Sequence, residues 1–130
     1  MKIVYNKIIP FFGCKALTLW PFVFVRSKYM TNQDKRHEDI HGRQQREMLP
    51  IAVALAAVLW ICGCGWWSLL DLPLYFYVYG LLWLYELLMT FDTDMAYKLN
   101  PLEKEAYFFD GDDGYLDRRR PFGWIQFLKD

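Results

Sequence analysis

Ile51 to Leu70 is a run of twenty residues without a charge, and no other stretch limits the fold as tightly. Wound as a helix at about 1.5 Å per residue, it reaches across a hydrocarbon core of about 30 Å. Asp71-Leu72-Pro73 follows as a tight connection, with Asp71 placed to cap a new helix and Pro73 suited to its first turn. Leu74 to Met89 is a second apolar run, short and aromatic. The expectation is a mainly α membrane protein built on a two-helix transmembrane hairpin over residues 50–90. Pro50 either opens the first of these helices or kinks one that began earlier.

The charges assign a side. Of 15 Lys and Arg residues, nine precede Ile51, six follow Met89, and none stands at the Asp71 tip. By the positive-inside rule both flanks are cytoplasmic and the tip is outside. Net charge is zero, so no global basic field recruits nucleic acid. Cys14, Cys62 and Cys64 form an odd set, two of them inside the apolar run, which is no disulfide framework. They read as small buried hydrophobes.

Residues 1–33 form an N-terminal segment of short extended pieces. Ala16 to Val25 is rich in β-formers, and the turn-prone stretch Pro10 to Gly13 separates it from Ile3-Val4-Tyr5. A β-hairpin or a re-entrant segment against the membrane is expected. A helical span from Ile8 to Val25 is the competing reading, opposed by Lys15 at its centre and by two prolines.

Residues 34–49 are strongly polar and read as a helix that Asn32 or Asp34 would cap. It carries His37-Glu38-Asp39-Ile40-His41, an HExxH pattern made with the only two histidines of the chain. Residues four apart share a helix face, so both imidazoles can reach one metal ion with Glu38 beside it. Two neutral imidazoles on zinc, with a glutamate to take a proton from water, are the parts of a metal-assisted hydrolase. Gln44 and Met48 lie on the same face, and Gln44 is placed to hold a water or a substrate carbonyl.

Two imidazoles leave zinc short of a protein ligand, and a carboxylate from another helix is one way to complete three. In residues 91–130, Asn100-Pro101 signals a helix start and Leu102 to Phe109 a short helix. Glu103, Ala106, Tyr107 and Asp110 share one of its faces. The small Ala106 would allow close approach, with Glu103 pointing across the gap. Glu86, ionisable inside the second apolar run, either approaches the histidines as a supporting group or extra ligand, or pairs elsewhere. Asp110-Gly111-Asp112-Asp113-Gly114 lacks the spacing of a calcium loop and reads as a solvated acidic turn. Arg118-Arg119-Arg120 beside Phe122, Trp124 and Phe127 suggests either a tail resting on anionic headgroups of the lipid bilayer or ordinary surface charge.

His37-Glu38-x-x-His41 followed by Glu103-x-x-Ala106 resembles the gluzincin metallopeptidases, including membrane-embedded ones. The whole chain also resembles a group of small bacterial membrane proteins. These combine a Pro-Phe-rich start (here Pro21 to Arg26), a His-Glu-x-Ile-His-x-Arg-Gln-Gln segment (His37 to Gln45), a hydrophobic hairpin and a Glu-x-Glu-Ala-Tyr segment (Glu103 to Tyr107). The resemblance implies zinc held by His37, His41 and Glu103, with Glu38 as general base. Many gluzincins carry Asp or Asn after the alanine, where this chain has Tyr107, and Glu105 competes with Glu103 as the ligand.

The function expected is hydrolysis of a peptide or protein substrate, with an edge strand from residues 16–25 aligning the chain to be cut and Tyr107 or Tyr97 steadying the oxyanion. The alternatives are a non-catalytic metal-binding or degenerate membrane protein, and a hairpin subunit whose charged ends bind a partner. Oligomerisation is left open by the sequence.

Overall fold

The computed structural model describes residues 1–8, 15–26 and 29–129. It is mainly helical with one small sheet, and it divides into two compact units: Met1–Gln45 with Pro101–Asp130, and Arg46–Asn100.

In the first unit, strands β1 (Lys2–Tyr5), β2 (Ala16–Leu19) and β3 (Phe22–Val25) form a sheet of order β1-β3-β2. β3 pairs parallel to β1 and antiparallel to β2, with Thr18 opposite Val23. Period-two alternation sends Val23 and Val25 inward, where they meet Met30, Ile3 and Ala16. Residues 16–25 are therefore the hairpin arm of the expectation and not part of a helical span. Pro10, Gly13 and Cys14 lie outside the described residues.

Helix α1 (Asn32–Leu59) starts on a reciprocal cap. The Asp34 amide donates to Thr31 Oγ1, and Asp34 Oδ2 accepts from the Thr31 amide, both at 3.0 Å. Thr31 is thus the cap in place of Asn32, and Asp34 is its partner one turn in. Pro50 lies inside α1, which continues through it. Proline removes one helical hydrogen bond there, while the turns on either side persist. The first unit is completed by α4 (Pro101–Phe109), α5 (Tyr115–Arg118) and a 3₁₀ turn at Gly123–Phe127. The fully buried Ala106 packs with Ile40 of α1 and Tyr115 of α5, so small side-chain volume sets how near α4 comes to α1.

The second unit takes the rest of the apolar sequence. The helical path changes to a π turn at Trp60–Cys64 and a 3₁₀ helix at Gly65–Asp71, with Gly63 at φ +92° and Gly65 at φ +57°. The run is therefore not one regular helix. Both glycines adopt left-handed backbone that a side chain would strain. α2 (Leu74–Thr90) follows, with Pro73 at its cap position and no side-chain cap. Asp71 ends the 3₁₀ helix and does not cap α2, because two residues separate it from the first turn.

α3 (Thr93–Leu99) was not expected. Asp92 caps it, accepting from the amides of Asp94 at 2.9 Å and Met95 at 3.2 Å. The path Asn32–Asp71 is long and apolar enough to cross a membrane, and α2 is a shorter apolar helix. Large apolar side chains are exposed along this unit, among them Ile61, Trp66 and Trp67. Cys62 and Cys64 are exposed as well, contrary to the buried role expected of them. They occupy the outer surface of the π turn, where nothing in the unit covers them.

Candidate metal centre

Both histidines, Glu103 and every group that holds them belong to the first unit. Helical periodicity stacks His37 over His41 on α1, and the close approach at Ala106 brings Glu103 of α4 against them. His37 Nε2 and His41 Nε2 are 3.2 Å apart, and Glu103 Oε2 lies 3.3 Å from the first and 3.4 Å from the second. The three side chains are buried and close enough to hold one metal ion.

Each imidazole is gripped at its other nitrogen. His37 Nδ1 faces Asp110 Oδ2 at 3.4 Å. Asp110 is itself fixed: Oδ1 accepts from Gln33 Nε2 at 2.8 Å, and its carbonyl accepts from Arg36 Nε at 2.6 Å. His41 Nδ1 lies 3.0 Å from Gln44 Oε1. The Gln44 amide has one orientation, because its Nε2 donates to Leu102 O at 3.0 Å and to Glu105 Oε2 at 2.8 Å. Its oxygen must then accept from His41 Nδ1–H, so Nε2 is the nitrogen that faces Glu103, protonated when the imidazole is charged and a free donor to a metal when it is neutral.

Charge follows this geometry. Burial by itself would lower the His41 pKa, but the Glu103 carboxylate, with smaller help from Glu38 and Gln44, reverses the balance and raises it to about 9. Burial likewise opposes ionisation of Glu103, yet His41 first and His37 next hold its carboxyl far below the ordinary carboxylate range. Without metal, the site is an anion beside a retained proton, the charge pattern a cation would replace.

Several residues stand elsewhere than expected. Glu105 stands outside the cluster of His37, His41 and Glu103, and its oxygens are taken up by other donors. Oε1 accepts from Tyr115 Oη at 2.7 Å and Arg119 Nε at 2.6 Å, and Oε2 accepts from Gln44 and from Arg119 Nη2 at 3.1 Å. Gln44 is fully buried and holds His41, so it offers nothing to a substrate. Asp110 is buried and bonded, not part of a solvated turn. Its signal was present in the sequence, since it shares a helix face with Glu103. Glu86 sits half-buried on α2, and Tyr97 on α3, both in the second unit.

Glu38 does not enter the triangle of donors. Thr18 Oγ1 of β2 donates to its Oε2 at 2.5 Å, and Glu38 still contributes to the raised pKa of His41. The exposed Tyr107 ring meets His37 edge-on, with centroids 4.5 Å apart. Gln45 spans the outer edge of β2, donating to Thr18 O at 2.6 Å and accepting from the Trp20 amide at 2.8 Å. In the C-terminal segment, Arg118 pairs with Asp112 and Arg119 with Glu105, so two of the three arginines expected at headgroups are engaged within the unit.

Compared with protein-family models, curated proteins and solved structures, the chain matches none.

Proposed function

We propose that this is an integral membrane zinc hydrolase of peptide bonds, similar in its site to the gluzincins, with zinc held by His37, His41 and Glu103. The observation that carries the reading is the donor triangle, with sides of 3.2, 3.3 and 3.4 Å. Three ligands placed tetrahedrally at about 2.0–2.1 Å from one zinc ion stand about 3.3 Å apart, and the fourth position stays open. A zinc ion there would act as a Lewis acid toward a scissile carbonyl and an attacking water.

The chain's own groups supply the rest. Glu38 takes the proton of the water and returns it to the leaving amine, and Thr18 keeps one of its carboxylate oxygens in place. Tyr107, whose exposed ring meets His37, would donate to a developing oxyanion. An extended peptide would join the edge strand β2. Gln45 already occupies Thr18 O and the Trp20 amide, so the peptide would pair at Ala16.

The membrane assignment rests on the uncharged run, the outward apolar side chains of the second unit, and the distribution of Lys and Arg. Two spans forming a hairpin would put both flanks, and with them the metal centre, on the cytoplasmic face of a bacterial inner membrane.

A second reading, a structural metal site in a non-catalytic membrane protein, is favoured by one observation: His37, His41 and Glu103 are each no more than 9% exposed. Metal analysis of detergent-purified protein tests both. One equivalent of zinc is expected in the wild type and none in His37→Ala, and a metal-free wild type would overturn both. Glu38→Gln then separates them: an enzyme keeps zinc and loses proteolysis, whereas a structural site shows no change in either.

A further inference from the structure

The C-terminal segment reaches the histidine site through a continuous line of hydrogen bonds. Arg119 follows α5, far from HExxH in sequence, yet its guanidinium forms a two-pronged bond with Glu105 of α4. Both side chains are withdrawn from solvent, Arg119 at 3% exposure and Glu105 at 0%. Tyr115 adds a third donor to the same carboxylate, and burial together with that bond raises its pKa, so it remains a donor. The remaining acceptor direction of Glu105 is spent on Gln44 Nε2, and Gln44 Oε1 faces His41.

The chain closes over this cluster with no room to spare. A Cβ on Gly123 would come within 2.7 Å of Glu105 Oε1 and 3.0 Å of Tyr115 Oη. Only glycine lets the segment after Arg119 pass there without displacing the carboxylate.

A buried ion pair is a poor device for stability alone, since an apolar packing of similar volume often does as well. What this pair does that an apolar pair would not is fix a direction. A carboxylate held by Arg119 and Tyr115 can only accept from Gln44, so the Gln44 amide cannot turn over. A Gln44 that cannot turn over presents only oxygen to His41 Nδ1.

The geometry points to Arg119 and Glu105 as positioning residues of the metal centre, which act through Gln44 to hold His41 as the Nδ1–H form with Nε2 aimed at the ion. This rests on the reading of His37, His41 and Glu103 as ligands, and it assigns the C-terminal segment a part in that site. Groups that hold a ligating histidine from behind commonly change metal affinity by about 10- to 100-fold.

The test uses the full chain in detergent, with zinc affinity measured by chelator competition and the cobalt-substituted protein observed by proton NMR. The wild type is expected to bind one equivalent and to show a shifted, slowly exchanging ring N–H from each histidine. Gln44→Met and Arg119→Met are expected to weaken zinc binding about 10- to 100-fold. The His41 N–H should exchange faster in both, while that of His37, held by Asp110, stays.

Arg119→Lys keeps the buried charge and gives up the two-pronged bond. It should show the same direction of change if Arg119→Met does not fold. A purely structural ion pair would lower stability and leave both readouts as in the wild type, and that result overturns the inference while the metal site stands. A wild type that binds neither zinc nor cobalt removes the metal reading and this inference together.

Discussion

Asp110 Oδ2 stands 3.4 Å from His37 Nδ1, so the acidic residue that opens the turn after α4 is the group behind the first histidine of HExxH. Carboxylate, imidazole and ion in line fix the ring and strengthen it as a ligand. Here the carboxylate comes from the end of α4, two turns beyond Glu103, and the position after Ala106 is taken by Tyr107. Asp110→Asn should therefore weaken zinc binding about tenfold or more while leaving Glu103 in place. Competition titration against a chromophoric chelator measures it, and an unchanged affinity would show that His37 needs no support from Asp110.

The two glutamates of α4 should separate cleanly. On the proposed zinc site, Glu103→Ala removes a ligand, and zinc occupancy should fall to a small fraction of the wild-type value in dialysed protein. Glu105→Ala leaves Arg119 buried without its partner, which costs about 3–5 kcal/mol and should appear as a large loss of thermal stability. Greater loss of zinc from Glu105→Ala than from Glu103→Ala, compared at equal folded fraction, would reverse the assignment of the ligand.

Ala106 sets the distance between α4 and α1. It is fully buried against Ile40, and Ala106→Leu adds volume at a contact with none to give, at a cost of about 1–3 kcal/mol. Because Glu103 rides on the same helix, the expected result is a combined loss of stability and zinc affinity. Ala106→Gly, which keeps the space, should lose helix stability of about 1 kcal/mol and retain zinc.

Thr18 and Glu38 test the link between sheet and helix. Thr18→Val deletes the hydroxyl that donates to Glu38 Oε2. If the protein is the hydrolase proposed above, zinc content should not change, whereas peptide hydrolysis should fall in kcat about tenfold, with KM unaltered. Thr18→Ser should restore it. Equal rates for Thr18→Val and wild type would remove Thr18 from the catalytic account.

The pair Lys15 and Asp34 carries a pH dependence whose sign follows from the geometry. The Lys15 hydrogen bond is the largest influence on Asp34 and, with the Thr31 contacts, holds its pKa below the ordinary 3.8. A lowered carboxylate pKa stabilises the fold above the unfolded value, and that contribution is lost as pH falls through the folded one. Both side chains are partly in water, so Lys15→Met should cost less than about 1 kcal/mol at pH 7. The difference from wild type should vanish below the folded pKa, as melting curves at the two pH values would show.

Much of the local structure was legible because it depends on neighbours in sequence. The spacing of His37 and His41, the start of α4 at Pro101 and the β-forming character of residues 16–25 follow from helical period, proline geometry and side-chain branching. The length and lack of charge of residues 51–70 likewise set the apolar character of the second unit. The break at Gly63 was missed because glycine permits a left-handed turn without requiring one.

The sequence by itself determined that two imidazoles would share a helix face with a glutamate between them, since a single helix suffices for that. Only the tertiary structure decided what stands behind each imidazole. Glu105, Asp110 and Gln44 are all polar residues for which a solvated reading is equally consistent with local sequence. Their roles were settled by which donors the fold brought within hydrogen-bond reach: Arg119 and Tyr115 claimed Glu105, and Gln44 took the orientation that remained. A buried carboxylate goes to its strongest available donors, and which donors are available depends on residues far apart in the chain.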